Sequence, residues 1–127
     1  MAAITVASVS APKPGGSVFE YYGTGTANQT DTLTSTAVGG GYAEKLLWVS
    51  VKYSAAPTQT GVTIGIDSGL GAAYDTTITT GSANIQNTFF FPDHGEVWLG
   101  KGDAIVVTVP AGGVGITAAI VICTERA

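Results

Sequence analysis

The chain is poor in charge. Its 127 residues include five Lys or Arg and nine Asp or Glu, 11% in all, with a formal net charge of −4. Soluble proteins average roughly 25% charged residues. The cations Lys13, Lys45, Lys52, Lys101 and Arg126 stand apart from one another. Neutralising phosphates requires clustered cations, so nucleic acid and anionic membrane are both disfavoured as partners. A single cysteine, Cys123, excludes an intrachain disulfide and a thiolate zinc site. It ends the apolar run 118–122 and reads as a small buried hydrophobe. No apolar run approaches the ~18 residues a membrane span needs. The N-terminal residues 1–6 lack the cationic segment and apolar stretch of a signal peptide, which predicts a chain made and folded in the cytoplasm.

Catalytic patterns are equally scarce. The one histidine, His94, lies in Asp93-His94-Gly95 and reads as an exposed turn residue. No serine sits in a Gly-x-Ser-x-Gly elbow. Asp31, Asp67, Asp75, Asp93 and Asp103 are spread singly, without the alternation and closing Glu of a calcium loop. The glycine clusters 39–41 and 112–113 lack a Gly-Lys-Ser/Thr ending and precede no helical pattern, so they read as turns rather than phosphate cradles. The expectation is a protein with no catalytic residue, no cofactor and no metal.

What the sequence has in abundance is glycine, 18 of 127 residues, and β-branched residues in short alternating runs. No helical period persists. Residues 4–10 read as a first strand, broken by the Pro/Gly cluster 12–16. Residues 18–22 form a second strand. The stretch from Gly23 to Gly41 reads as a long loop or edge with a short strand near 32–36. In 45–53, Leu47, Val49, Val51 and Tyr53 share one face and Trp48, Ser50 and Lys52 the other. Val62, Ile64 and Ile66 define a further strand, as do the run 74–80 and the segments 89–91 and 96–99. Ile105, Val107 and Val109 form another inward row. Val114, Ile116, Ala118, Ile120 and Ile122 form the last, before a polar tail at 124–127.

Short strands separated by Gly, Pro, Asn and Asp at intervals of about 8–12 residues predict an all-β fold. It is a single β-sandwich of about eight antiparallel strands, of jelly-roll or Greek-key type. Residues 1–43, an N-terminal arm with a Gly/Thr-rich loop, belong to the same domain as the sandwich body at 44–127.

So few charges leave an exterior of Thr, Ser, Gly and Ala, more typical of a subunit than of a free monomer. Both faces of the last strand are partly apolar, which predicts burial between sheets or at a subunit contact. The expected partners are further copies of the chain and a large protein. Ile4, Val6 and Val9 of the arm, Gly40 and Tyr42 of the 39–42 loop, and the indoles of Trp48 and Trp98 are the candidate contacts. Tyr21, Tyr22, Tyr42, Trp48, Trp98 and the run 89–91 also suit a sugar-binding platform.

The segment Phe89-Phe90-Phe91-Pro92, continuing through Trp98-Leu99-Gly100-Lys101-Gly102-Asp103 into Ala104-Ile105-Val106-Val107, resembles jelly-roll virion proteins. Together with the strands at 45–53 and 116–122, it makes residues 44–123 similar to small capsid decoration (cement) proteins of tailed bacteriophages. The resemblance implies a non-enzymatic structural protein on the virion's capsid surface. Such proteins often act as homotrimers that clamp the major capsid protein. The alternative is a carbohydrate- or receptor-binding module of a phage fibre or tail.

Overall fold

The computed structural model describes residues 2–3, 8–9, 18–39, 42–92 and 95–126. Strands dominate: β1 (Ala2–Ala3), β2 (Ser8–Val9), β3 (Val18–Thr24), β4 (Asp31–Thr34), β5 (Glu44–Tyr53), β6 (Thr63–Asp67), β7 (Thr76–Thr80), β8 (Asn87–Phe90), β9 (Val97–Leu99), β10 (Ala104–Val109) and β11 (Ala118–Arg126). One 3₁₀ turn, Ala72–Tyr74, precedes β7.

Two sheets face each other. The first has the order β1-β4-β10-β6-β7, and the second the order β2-β3-β11-β5-β8, with β9 also on β5. All pairs are antiparallel except β1 with β4. Successive strands β3, β4, β5 and β6 alternate between the sheets, which is the crossing wiring the sequence predicts. The core is one cluster built from both inner faces. Tyr21, Val49, Val51, Tyr53, Ile120 and Ile122 of the second sheet pack with Leu33, Ile64, Ile105, Val107 and Val109 of the first. Every one of these is essentially inaccessible to water. Burying such a side chain is worth roughly 1.5–3 kcal/mol.

The structure departs from the alternation read in the sequence at three places. In β5, Cys123 of β11 pairs with Trp48 but Thr124 pairs with Leu46, so Leu47 is an extra, unpaired residue. Such a bulge reverses the parity of the strand. Leu46 and Glu44 therefore point inward, while Leu47 leaves the inner row that Val49, Val51 and Tyr53 keep. Second, residues 124–126 are not a polar tail. They continue β11, paired with β3 and β5, and Thr124 is fully buried. Third, Val114 does not face inward but is 89% exposed in a turn before β11, and Ile116 lies at the rim of the core. The stretch 23–41 is mainly loop, as the sequence suggests, with its short strand at Asp31–Thr34 rather than 32–36. β4 pairs with β10, Leu33 and Val38 are buried, and the amide of Val38 donates to the Asp103 carbonyl at 2.9 Å.

The N-terminal segment also differs from a single first strand. β1 adds to the edge of one sheet beside β4, and β2 adds to the other beside β3. The described part of the chain before β3 thus touches both sheets. The strand expected from Ile4 onward otherwise lies outside the described residues, as does the Pro/Gly break at 12–16.

Two carboxylates are buried, one in each sheet. Asp31, in β4, lies against Gly25 and retains one oxygen with no hydrogen-bond partner among the described residues. Burial pushes its carboxyl pKa up, partly offset by a hydrogen bond from the Thr26 backbone. Glu44, at the start of β5, accepts from Arg126 Nε at 3.3 Å and Nη2 at 3.2 Å through a single oxygen. The Arg126 guanidinium lies 4.3 Å from the Phe19 ring centre and 4.0 Å from that of Tyr42. A planar cation held between two rings and forked onto a carboxylate is an arrangement that arginine makes and lysine does not.

Candidate interaction surface

The outer face of the second sheet carries most of the exposed aromatic residues; Tyr74, in the turn before β7, is the exception. Its layout follows from strand register, because directly paired residues project to the same side. Tyr22 of β3 pairs with Val121 of β11, which pairs with Ser50 of β5, which pairs with Phe89 of β8. One row along, Glu20, Cys123 and Trp48 are in line. In the opposite direction Thr24, Ala119, Lys52 and Asn87 are in line. Beyond the bulge, Glu125, Lys45 and Trp98 complete the grid.

Aromatic rings form a ridge along the β5–β8 side. Trp48 and Phe89 stack with centroids 5.5 Å apart and planes 26° from parallel, and Phe91 follows Phe89 at 5.9 Å, tilted by 54°. Phe89 is 60% exposed, and Phe91, Trp98 and Tyr22 are also large exposed apolar residues. Beside the ridge runs a shallow trough over β3 and β11, lined by Glu20, Tyr22, Thr24, Ala119 and Val121. Isolated apolar side chains on a surface are ordinary, but rings packed on one another across a rigid sheet make a patch.

The charges of this face divide into two groups. Lys45 Nζ lies 3.6 Å from Glu96 and 3.7 Å from Glu125, and 5.7 Å from the Trp98 ring centre. The Trp98 indole donates to Glu96 at 2.7 Å. These four residues satisfy one another. Glu20 and Lys52 make no ion pair among the described residues.

Cys123 belongs to this outward row yet is 2% exposed. Burial, with the charges of Glu20 and Glu125 adding to it, pushes its thiol pKa up to about 11. The thiol is therefore protonated at neutral pH and is a poor nucleophile.

The sequence-derived contact residues separate on this framework. Trp48 and Trp98 lie on the patch. Tyr42 does not, since its ring is half-buried over Arg126. Val9 pairs through its backbone with Tyr21 at the sheet edge. Ile4, Val6 and Gly40 lie outside the described residues, as do Asp93 and His94. Glu20 and Lys52 are not among the sequence-derived candidates, and Tyr22 and Phe89 enter there only as members of the aromatic platform. Their signal was parity: Tyr21 and Tyr22 are neighbours, so one had to face out, and Lys52 shares a face with Trp48.

The remaining acids are engaged in loops. Asp75 accepts from the Ser68 amide at 3.0 Å and its hydroxyl at 3.2 Å, and Asp67 accepts from the Gly69 amide at 2.9 Å. Asp103 accepts from the Gly100 amide at 2.9 Å. Among the described residues no three His, Cys, Asp or Glu side chains gather as a metal site.

No protein-family model matches the chain, and no curated protein matches it. Among solved structures it is similar to PliG of Aeromonas hydrophila, a periplasmic inhibitor of g-type lysozyme. That match has a TM-score of 0.43 and 9% identity, over 99% of this chain and 96% of that one. It is also similar to a CBM4 structure, with a TM-score of 0.42 and 10% identity, over 85% of this chain and 84% of that one. Neither likeness carries a functional argument.

Proposed function

We propose that the protein is a non-enzymatic structural subunit that acts through protein–protein contact, with the outer face of the β3-β11-β5-β8 sheet as its contact surface. The observation that carries this reading is the ridge of half-buried Trp48 with exposed Phe89 and Phe91, and exposed Trp98 on the same face. Aromatic residues are enriched where proteins meet, and charge is depleted in the centre of such contacts. The role requires stiffness and area rather than a reactive group, so no cofactor or metal is invoked. The sequence resemblance gives the reading its particular form. The protein is a decoration protein on a tailed-phage capsid, homo-oligomeric and seated on the major capsid protein.

The alternative, a sugar-binding module, draws on the same rings. A sugar platform presents open ring faces and convergent polar groups. Here Trp48 and Phe89 turn one face each to the other, and neither lines the trough over β3 and β11. This favours a protein partner.

Co-sedimentation with tailed-phage capsids tests the reading. The protein is expected to bind expanded, DNA-filled capsids and not immature shells, and Trp48→Ala with Phe89→Ala is expected to abolish binding. Binding to neither form would overturn the capsid role. Glycan-array binding that Trp48→Ala removes would replace it with the sugar-binding alternative.

A further inference from the structure

We infer that the outer face of the β3-β11-β5-β8 sheet pairs with the same face of a second copy across a two-fold axis centred over Val121. The inference rests on the reading of that face as a protein contact and names a second copy as its occupant; the capsid then binds the dimer rather than the free face.

Two charges on the face, Glu20 and Lys52, make no ion pair among the described residues. Val121 lies between Tyr22 and Ser50 in the strand register. Glu20 is one strand to one side and pairs with Cys123, two residues further along β11. Lys52 is one strand to the other side and pairs with Ala119, two residues back. The acid and the base are therefore placed symmetrically about Val121. Strand spacing and rise put their Cα atoms roughly 17 Å apart on the diagonal.

A two-fold axis lying in the face over Val121, perpendicular to that diagonal, carries each Glu20 onto the other copy's Lys52. Two reciprocal ion pairs form, and no like charges are opposed. This is the self-complementarity that an isologous contact requires. The aromatic ridge obeys the same operation. On the strand lattice it carries Trp48 to within roughly 3 Å of the other copy's Phe89 position, and Phe89 likewise to Trp48. The strands of the two copies then cross at roughly 70°, near the orthogonal class of sheet packing. Charge and ring positions were not chosen together, yet one axis satisfies both. The network of Lys45, Glu96, Glu125 and Trp98 is already internally paired and lies at the rim.

The four-strand patch spans roughly 400 Å² per copy, about half the area of a standard interface side. The dimer is therefore expected to depend on concentration. Sedimentation equilibrium of the full chain from low micromolar to submillimolar concentration should show a monomer–dimer equilibrium. Glu20→Lys and Lys52→Glu should each weaken it by about tenfold or more, because each sets two like-charge contacts in place. The double swap, Glu20→Lys with Lys52→Glu, should restore it, and Trp48→Ala should abolish it. Glu20→Gln and Lys52→Gln, with a salt titration of the wild type, replace any swap that unfolds by circular dichroism.

A wild type that stays monomeric throughout, or forms only trimers, overturns the pairing. So does a dimer indifferent to the charge variants. If those variants are silent but Trp48→Ala still abolishes capsid binding, the two-fold pairing fails and the contact-face reading stands. If Trp48→Ala changes neither self-association nor capsid binding, that reading fails too.

Discussion

Arg126 closes β11, and its replacement is expected to be strongly destabilising. Among the described residues its guanidinium is the only hydrogen-bond partner of Glu44, whose side chain is 1% exposed. The other Glu44 oxygen has no partner. Arg126→Met keeps the apolar stem but strands the carboxylate in the interior. Breaking a buried pair in this way costs about 3–5 kcal/mol. The two ring contacts, with Phe19 and Tyr42, add about 0.5–1 kcal/mol each. The Arg126 side chain is 36% exposed, so water screens part of the effect, and a total loss of about 3 kcal/mol is the better expectation. For a domain of this size that lowers Tm by roughly 10–15 °C. Urea unfolding of wild type, Arg126→Met, Glu44→Gln and the double variant measures it as a cycle. The double variant should be less damaged than the sum of the singles, with a coupling of about 2 kcal/mol. Arg126→Lys should recover part of the loss, since lysine restores charge but not the fork or the stacking. An Arg126→Met loss below about 1 kcal/mol, or an additive cycle, would refute the claim that the cation stabilises this carboxylate.

Asp31 gives stability an unusual pH dependence. Its pKa is raised in the fold above the usual 3.8, so the folded chain holds a proton that the unfolded chain has already released. Its contribution is full below the unfolded value and is lost as pH rises through the folded value. Asp31→Asn should flatten that part of the stability–pH profile, and an unchanged profile in urea melts would show that Asp31 is not its source. Gly112→Ala would place a methyl 2.8 Å from Cδ1 of Tyr53, whose hydroxyl donates to the Pro110 carbonyl at 2.7 Å. Forcing the ring aside should cost about 1–3 kcal/mol, read from the urea midpoint. Cys123 should resist iodoacetamide at pH 8 in the native state and react once the chain is unfolded. Rapid native labelling would contradict its burial.

Much of the fold was legible in the sequence because a half-buried strand records its own orientation. The inner rows of β6 and β10 at Ile64, Ile105, Val107 and Val109 follow directly from alternation. Tyr21 shows the limit of that method. In the pair Tyr21-Tyr22 either ring could face inward, and only the pairing with β11 assigns Tyr21 to the core. Trp48 was visible as an outward residue on β5, but its stacking partner Phe89 lies 41 positions along the chain, on a strand whose register the sequence does not encode locally.

Composition and local pattern alone determined that this chain is built of short strands, buries a single apolar core and has a surface thin in charge. Those properties belong to each residue and its near neighbours. The tertiary structure decided the rest. It placed the bulge at Leu47 that turns Glu44 inward, and it brought Arg126 of β11 to meet that acid across 82 positions. It also set Glu20, Lys52 and the aromatic ridge on one face. Each of these depends on which strands pair and in what register, and a one-residue slip sends every side chain of a strand to the opposite side.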